Sequence, residues 1–105
     1  MANIPDSIKI LLNKYIEALN KNGIKIKSAF LFGSYVKGSY SELSDIDVAI
    51  ISDAFEGIRF YDRKKIRKIT LSISSNLEVI PFTPDDFSME NPLAKEIMDS
   101  GIQIA

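Results

Sequence analysis

Cysteine and histidine are absent from all 105 residues. Without cysteine there is no disulfide framework and no thiolate chemistry. Without histidine there is no imidazole acid–base catalysis and no ordinary zinc site, so oxygen ligands from carboxylates are the expected metal donors. No stretch of about 18 apolar residues is present, which argues against a membrane-spanning helix. The opening segment, Met1 to Asn13, reads as helix and lacks the charged-then-apolar pattern of an export signal, so a cytoplasmic protein with no membrane partner is expected. Net charge is −1, from 13 basic and 14 acidic residues, so the chain as a whole lacks the positive excess of a general nucleic-acid binder. Nucleic acid is accordingly the less favoured partner.

What is present is a 46% hydrophobic fraction, enough for a folded core, in a length that suits one domain over residues 1–105. The basic residues are unevenly spread. Arg63, Lys64, Lys65, Arg67 and Lys68 crowd together, either as a solvated helix face or as a surface for nucleotide, RNA or a protein partner.

Hydrophobic spacing predicts a helix from Asp6 to Asn22, with Ile8, Leu11, Leu12, Tyr15, Ile16 and Leu19 on one face and Gly23 just past its end. A strand follows from Ile26 to Phe32, with burial expected on both faces. Tyr35 to Glu42 suits a single helical turn and a loop. Asp45 to Ile51 reads as a second strand and Gly57 to Ser75 as a long helix carrying Ile66, Ile69 and Ile73 at helical spacing. Leu77 to Phe82 is a third strand, which Pro81 and Pro84 are expected to end because proline donates nothing to a ladder. Asn91 and Pro92 suit a helix cap and first helical residue. That helix runs to Ser100, Gly101 closes it, and Ile102 to Ala105 suits a short last strand. The fold class is therefore α/β (α+β): a small mixed sheet of about four strands flanked by helices.

The chemistry concentrates in Gly33-Ser34, a ten-residue spacer, and Asp45-Ile46-Asp47. In a strand, residues i and i+2 share a face, so Asp45 and Asp47 reach toward one point while Ile46 and Val48 enter the core. Mg²⁺ suits such a platform, because it takes one or two carboxylates, waters and substrate phosphates. Glu78 is the candidate third acid, the one charge in an otherwise apolar strand, and it completes the donor set of a two-ion site. Gly33 lacks a Cβ, so a phosphate can approach its backbone. A branched side chain there is expected to block the phosphate and leave the fold intact. Ser34 opens the short helix, where its hydroxyl either caps the turn, donates to phosphate, or does both. Lys37, one turn on, either adds charge near the phosphates or stays a solvated lysine.

The run GSYVKGSYSELSDIDVAII closely resembles the signature of the nucleotidyltransferase superfamily that includes DNA polymerase beta and kanamycin nucleotidyltransferase. The chain most resembles the minimal nucleotidyltransferases, and the resemblance extends to the closing NPLAKEIMDSGIQI. It implies a Mg²⁺-dependent enzyme, with two ions, that transfers a nucleotide from ATP or another NTP. It implies Asp45, Asp47 and Glu78 as catalytic and metal-holding residues, with Gly33, Ser34 and Lys37 on the nucleotide. Many such domains are antitoxins encoded beside a HEPN-domain protein, and some adenylylate a tyrosine on it. Two departures stand out: Lys37 replaces a common arginine, and Glu78 replaces an aspartate with a longer arm. The competing reading is a non-catalytic antitoxin that silences its partner by steric occlusion.

Overall fold

The structure is a computed structural model that describes residues 4–41 and 43–105. Residues 1–3, at the start of the helix-like N-terminus, and Glu42, at the end of the Tyr35-to-Glu42 connection, lie outside the described residues. The elements are α1 (Asp6–Lys21), β1 (Ser28–Phe32), α2 (Ser34–Lys37), β2 (Ile46–Ile51), α3 (Arg59–Ile73), β3 (Leu77–Phe82), α4 (Pro92–Ser100) and β4 (Ile102–Gln103). They follow the expected order. The four strands form one mixed sheet in the order β3-β2-β1-β4. β1 runs antiparallel to both β2 and β4, while β2 and β3 are parallel and joined through α3.

The two faces of the sheet are covered by different helices, as strand alternation requires. Ala29, Leu31, Ile46, Val48, Ile50, Leu77 and Val79 pack with Leu12, Tyr15 and Leu19 of α1 and Ile66 of α3. Ala49, Ile51 and Phe82, on the other face, pack with Ala94 and Ile97 of α4, and Phe30 and Phe32 lie against them. Phe87 seals this layer, its ring 5.2 Å from Phe30 and 5.1 Å from Phe82. α1 and α3 are further joined by the buried Tyr15 hydroxyl, 2.7 Å from the Thr70 Oγ1, and burial pushes the Tyr15 phenol up to about 12.

Several ends lie one or two residues inside the expected bounds, as β1 starts at Ser28 rather than Ile26 and β4 ends at Gln103 rather than Ala105, and two features differ for identifiable reasons. α3 begins at Arg59 rather than Gly57, because Gly57 has φ +90° and Ile58 is extended. That entry is fixed by Asp62, a buried carboxylate that accepts the N–H groups of Glu56 at 2.8 Å and Gly57 at 2.9 Å. Pro81 does not end β3; it sits inside it, opposite Ile50. β3 is an edge strand. The Ile46 N–H donates to the Asn76 carbonyl and the Ser52 N–H to the Phe82 carbonyl, which fixes the even-numbered residues as those that bond to β2. Leu77, Val79 and Pro81 turn their backbones outward, so the N–H that Pro81 lacks is one β2 never needed.

The Asn91 cap of α4 is as expected: its side chain accepts the N–H groups of Leu93 at 3.1 Å and Ala94 at 3.3 Å. Gly101 follows for reasons of space, since a Cβ there meets the Ile97 carbonyl oxygen at 2.5 Å.

Candidate active site

β2 divides along its length. Val48, Ala49, Ile50 and Ile51 are buried between the helical layers, but α4 packs only against the far half of its face. At the near end the same face carries acids. Asp45 lies just before β2 and is exposed, whereas Asp47 is half-buried within the strand. Asp47 stands opposite Phe32 on β1 and Glu78 on β3. Strands in register lie about 4.8 Å apart, so Asp47 and Glu78 project side by side from one face, with Asp45 two residues along.

The charges feel one another. Burial raises the Asp47 carboxyl above the usual carboxylate value, and the charges of Asp45 and Glu78 push it further the same way. The cluster is therefore charge-crowded, and among the described residues no basic side chain forms an ion pair with Asp47. Among the described residues no three acids stand close enough to enclose a metal ion by themselves. The arrangement is an open oxygen platform.

Gly33 ends β1 at φ +78° and ψ −146°, a conformation close to the region that essentially only glycine occupies. A Cβ added here runs into the Asp47 carboxylate, with the Asp47 Cγ at 3.1 Å and Cβ at 3.3 Å. This corrects the expectation that a side chain at 33 leaves the fold intact. Glycine is required first because the turn and the acid need the space, before any phosphate arrives. The capping role expected of Ser34 is also corrected: Gly33 occupies the N-cap position and no side-chain cap bond forms. The Ser34 hydroxyl is thereby left for other partners. Lys37 closes the single turn of α2 as an exposed side chain.

The structure thus brings Gly33, Asp45, Asp47 and Glu78 together, sets Ser34 beside them, and holds Lys37 a turn away. It adds one residue that sequence reasoning missed. Arg63 of α3 reaches Glu78, its nitrogen 3.6 Å from the carboxylate, with both side chains about half exposed. Glu78 is therefore an exposed, ion-paired acid rather than a buried one. The basic run was visible in sequence. Its position beside the acid depends on the parallel β2–α3–β3 crossover, which periodicity does not reveal.

Comparison with known proteins bears on the family and the fold. The family model described as a nucleotidyltransferase domain matches residues 12–104. A protein of Methanocaldococcus jannaschii named as a candidate protein adenylyltransferase is 32% identical over 95 residues, covering 90% of this chain and 91% of its own. The protein adenylyltransferase MntA of Shewanella oneidensis is 28% identical over 93 residues, covering 88% of this chain. The matched region spans 63% of that protein's length. A crystal structure of a toxin–antitoxin with AMP-PNP superimposes with a TM-score of 0.63 at 26% identity, covering 89% of this chain and 71% of that one. With its sheet order, its Gly-Ser turn and its paired aspartates in one frame, the chain belongs to the nucleotidyltransferase domain family.

Proposed function

We propose that this protein transfers AMP from ATP to a hydroxyl group of a partner protein, and so acts as an antitoxin on a HEPN-type toxin, with a tyrosine as acceptor. The observation that carries the catalytic part is the crowding of Asp45, Asp47 and Glu78 on one open face beside Gly33. The partner class rests on similarity to the MntA adenylyltransferase and to the toxin–antitoxin structure.

The donor set fits Mg²⁺. It is all oxygen, its Asp47 carboxyl is raised first by burial and then by the charges of Asp45 and Glu78, and it is open to the waters and phosphates that Mg²⁺ keeps. Asp45, Asp47 and Glu78 would offer it oxygens, and because the three acids do not enclose an ion by themselves, waters and the triphosphate would complete the set. Bound Mg²⁺ supplies charge neutralisation for the triphosphate and for the attacking oxygen. The chain's own residues do the positioning. Ser34 donates its hydroxyl to a phosphate oxygen at the end of β1, and Lys37 adds positive charge one turn further on. The phosphates then lie on the β1 side of Asp47 and the acceptor on the β3 side, beside Glu78. The acceptor oxygen bonds to the α-phosphorus, the bridge to the β-phosphate breaks, and pyrophosphate leaves. The acceptor proton passes to a carboxylate of the cluster or to water. Catalysis here is chiefly orientation and electrostatics.

Retention of all three acids favours this reading over steric occlusion alone. The test is twofold. Mg²⁺ with ATP is expected to raise the melting temperature, since a ligand bound only by the native state stabilises it. Labelled AMP should then appear on the co-purified partner. Absence of any thermal shift at millimolar Mg²⁺ and ATP would reject the site.

A further inference from the structure

α3 and the outer edge of β3 border an open groove of about 740 Å³. One wall is a helical stripe at i, i+4 spacing: Arg59, Arg63 and Arg67, with Lys64 beside them. The floor is apolar, from Ile66, Leu77 and Val79. Glu78 is the one acid on the lining, and it marks where the groove meets the acid cluster. Asp62, the only acid of α3, is buried and accepts the Glu56 and Gly57 amides, so the exposed surface of α3 presents no acid.

Two further features shape what fits. The outward backbones of Leu77 and Val79 offer N–H and C=O groups to an added strand, whereas Pro81 offers no donor. Strand addition is therefore confined to the end of β3 nearest Glu78. At the mouth, Phe60 is 63% exposed, and arginine beside exposed aromatic surface is the usual composition of a protein-binding hot spot.

We propose that this groove docks an extended, acidic segment of the acceptor protein, which pairs with the β3 edge and delivers its hydroxyl to the Glu78 side of the site. The delivery of a hydroxyl to the site rests on the transferase reading; the groove, its charge and its strand edge stand apart from it. Docking also acts on the cluster. The Arg63–Glu78 pair is half exposed and loosely held at 3.6 Å, the kind of ion pair that contributes little. An incoming carboxylate competes for Arg63 and frees Glu78 to face Asp47.

The experiment uses the full chain and a short fluorescein-labelled peptide, a tyrosine flanked by aspartate and glutamate, read by fluorescence anisotropy at low salt. A lysine-flanked peptide and a labelled oligouridylate serve as comparisons. The acidic peptide is expected to bind at least about tenfold tighter than the lysine peptide, and the double reversal Lys64→Glu with Arg67→Glu to weaken it by about tenfold or more. Methylating alternate backbone nitrogens of the peptide should weaken it as well. Equal binding of the two peptides, an affinity unmoved by the double reversal, or tighter binding of the oligouridylate each overturns the proposal. Thermal shift by Mg²⁺ and ATP is measured in parallel. A wild-type protein that binds the acidic peptide but shows no such shift sinks the transferase reading and leaves the groove assignment standing.

Discussion

The two ends of β2 differ in kind. From Val48 to Ile51 every side chain is buried, on both faces, and answers to packing. From Asp45 to Asp47 one face still anchors the strand through Ile46, while the other gathers like charges that packing does not ask for. Seven consecutive residues thus pass from holding the sheet together to working against it. Stability and site chemistry are separated along a single strand, with Gly33 at the border.

That contrast is broken most severely at the buried end. Ile50→Ala removes a fully buried side chain and is expected to destabilise by about 2–5 kcal/mol, as large-to-small core changes do. Urea melts measure the loss, and the Mg²⁺-ATP thermal shift of the folded fraction should survive. The border is tested by Gly33→Val. A branched residue near φ +78° is strained by about 1–3 kcal/mol. The collision with Asp47 adds to that, so the variant should lose both stability and nucleotide binding. A variant as stable as wild type would dissolve the border and return Gly33 to a role in phosphate approach alone.

The exposed end should behave oppositely. Asp47→Asn keeps the shape and removes one charge from a crowded cluster. A carboxyl whose value is raised in the folded state opposes folding in its ionised form, and that opposition develops as pH rises through the unfolded-state value. At neutral pH in EDTA, Asp47→Asn is therefore expected to be as stable as wild type or slightly more so, while nucleotide transfer in Mg²⁺ is abolished. A carboxylate accepting buried hydrogen bonds would instead lose about 1–3 kcal/mol on removal. Denaturant melts paired with a transfer assay separate the two, and a destabilised but active variant would make Asp47 structural.

Much of this was legible in the chain. Helical spacing in Ile8 to Leu19, the Asn91-Pro92 start and the Asp-Ile-Asp strand are local signals, and each element appears where its pattern placed it. What escaped was non-local. Asp62 looks like any charge on a basic helix until the turn at Glu56 and Gly57 folds back onto it. Pro81 looks like a strand terminator until its strand is known to lie at an edge. Arg63 meets Glu78 only because the crossover lays α3 against β3. Within the site, the acids were readable from alternation, but the reason for Gly33 was not, because it depends on which strand pairs with β1.

The pairing of Asp47 with Glu78 has a consequence for how the protein comes to exist. The two acids lie on opposite sides of the crossover helix, and their strands run parallel, so they meet only after α3 has formed and turned the chain back. Closing such a long loop precedes any reward from the contacts it makes, which places this pairing among the slow events of folding. On the proposed reading, metal affinity would be a property of the assembled sheet rather than of the Asp-Ile-Asp peptide. A nascent chain that has made β1 and β2 but not β3 carries the motif and lacks the cluster, so the chemistry becomes available only when the crossover closes.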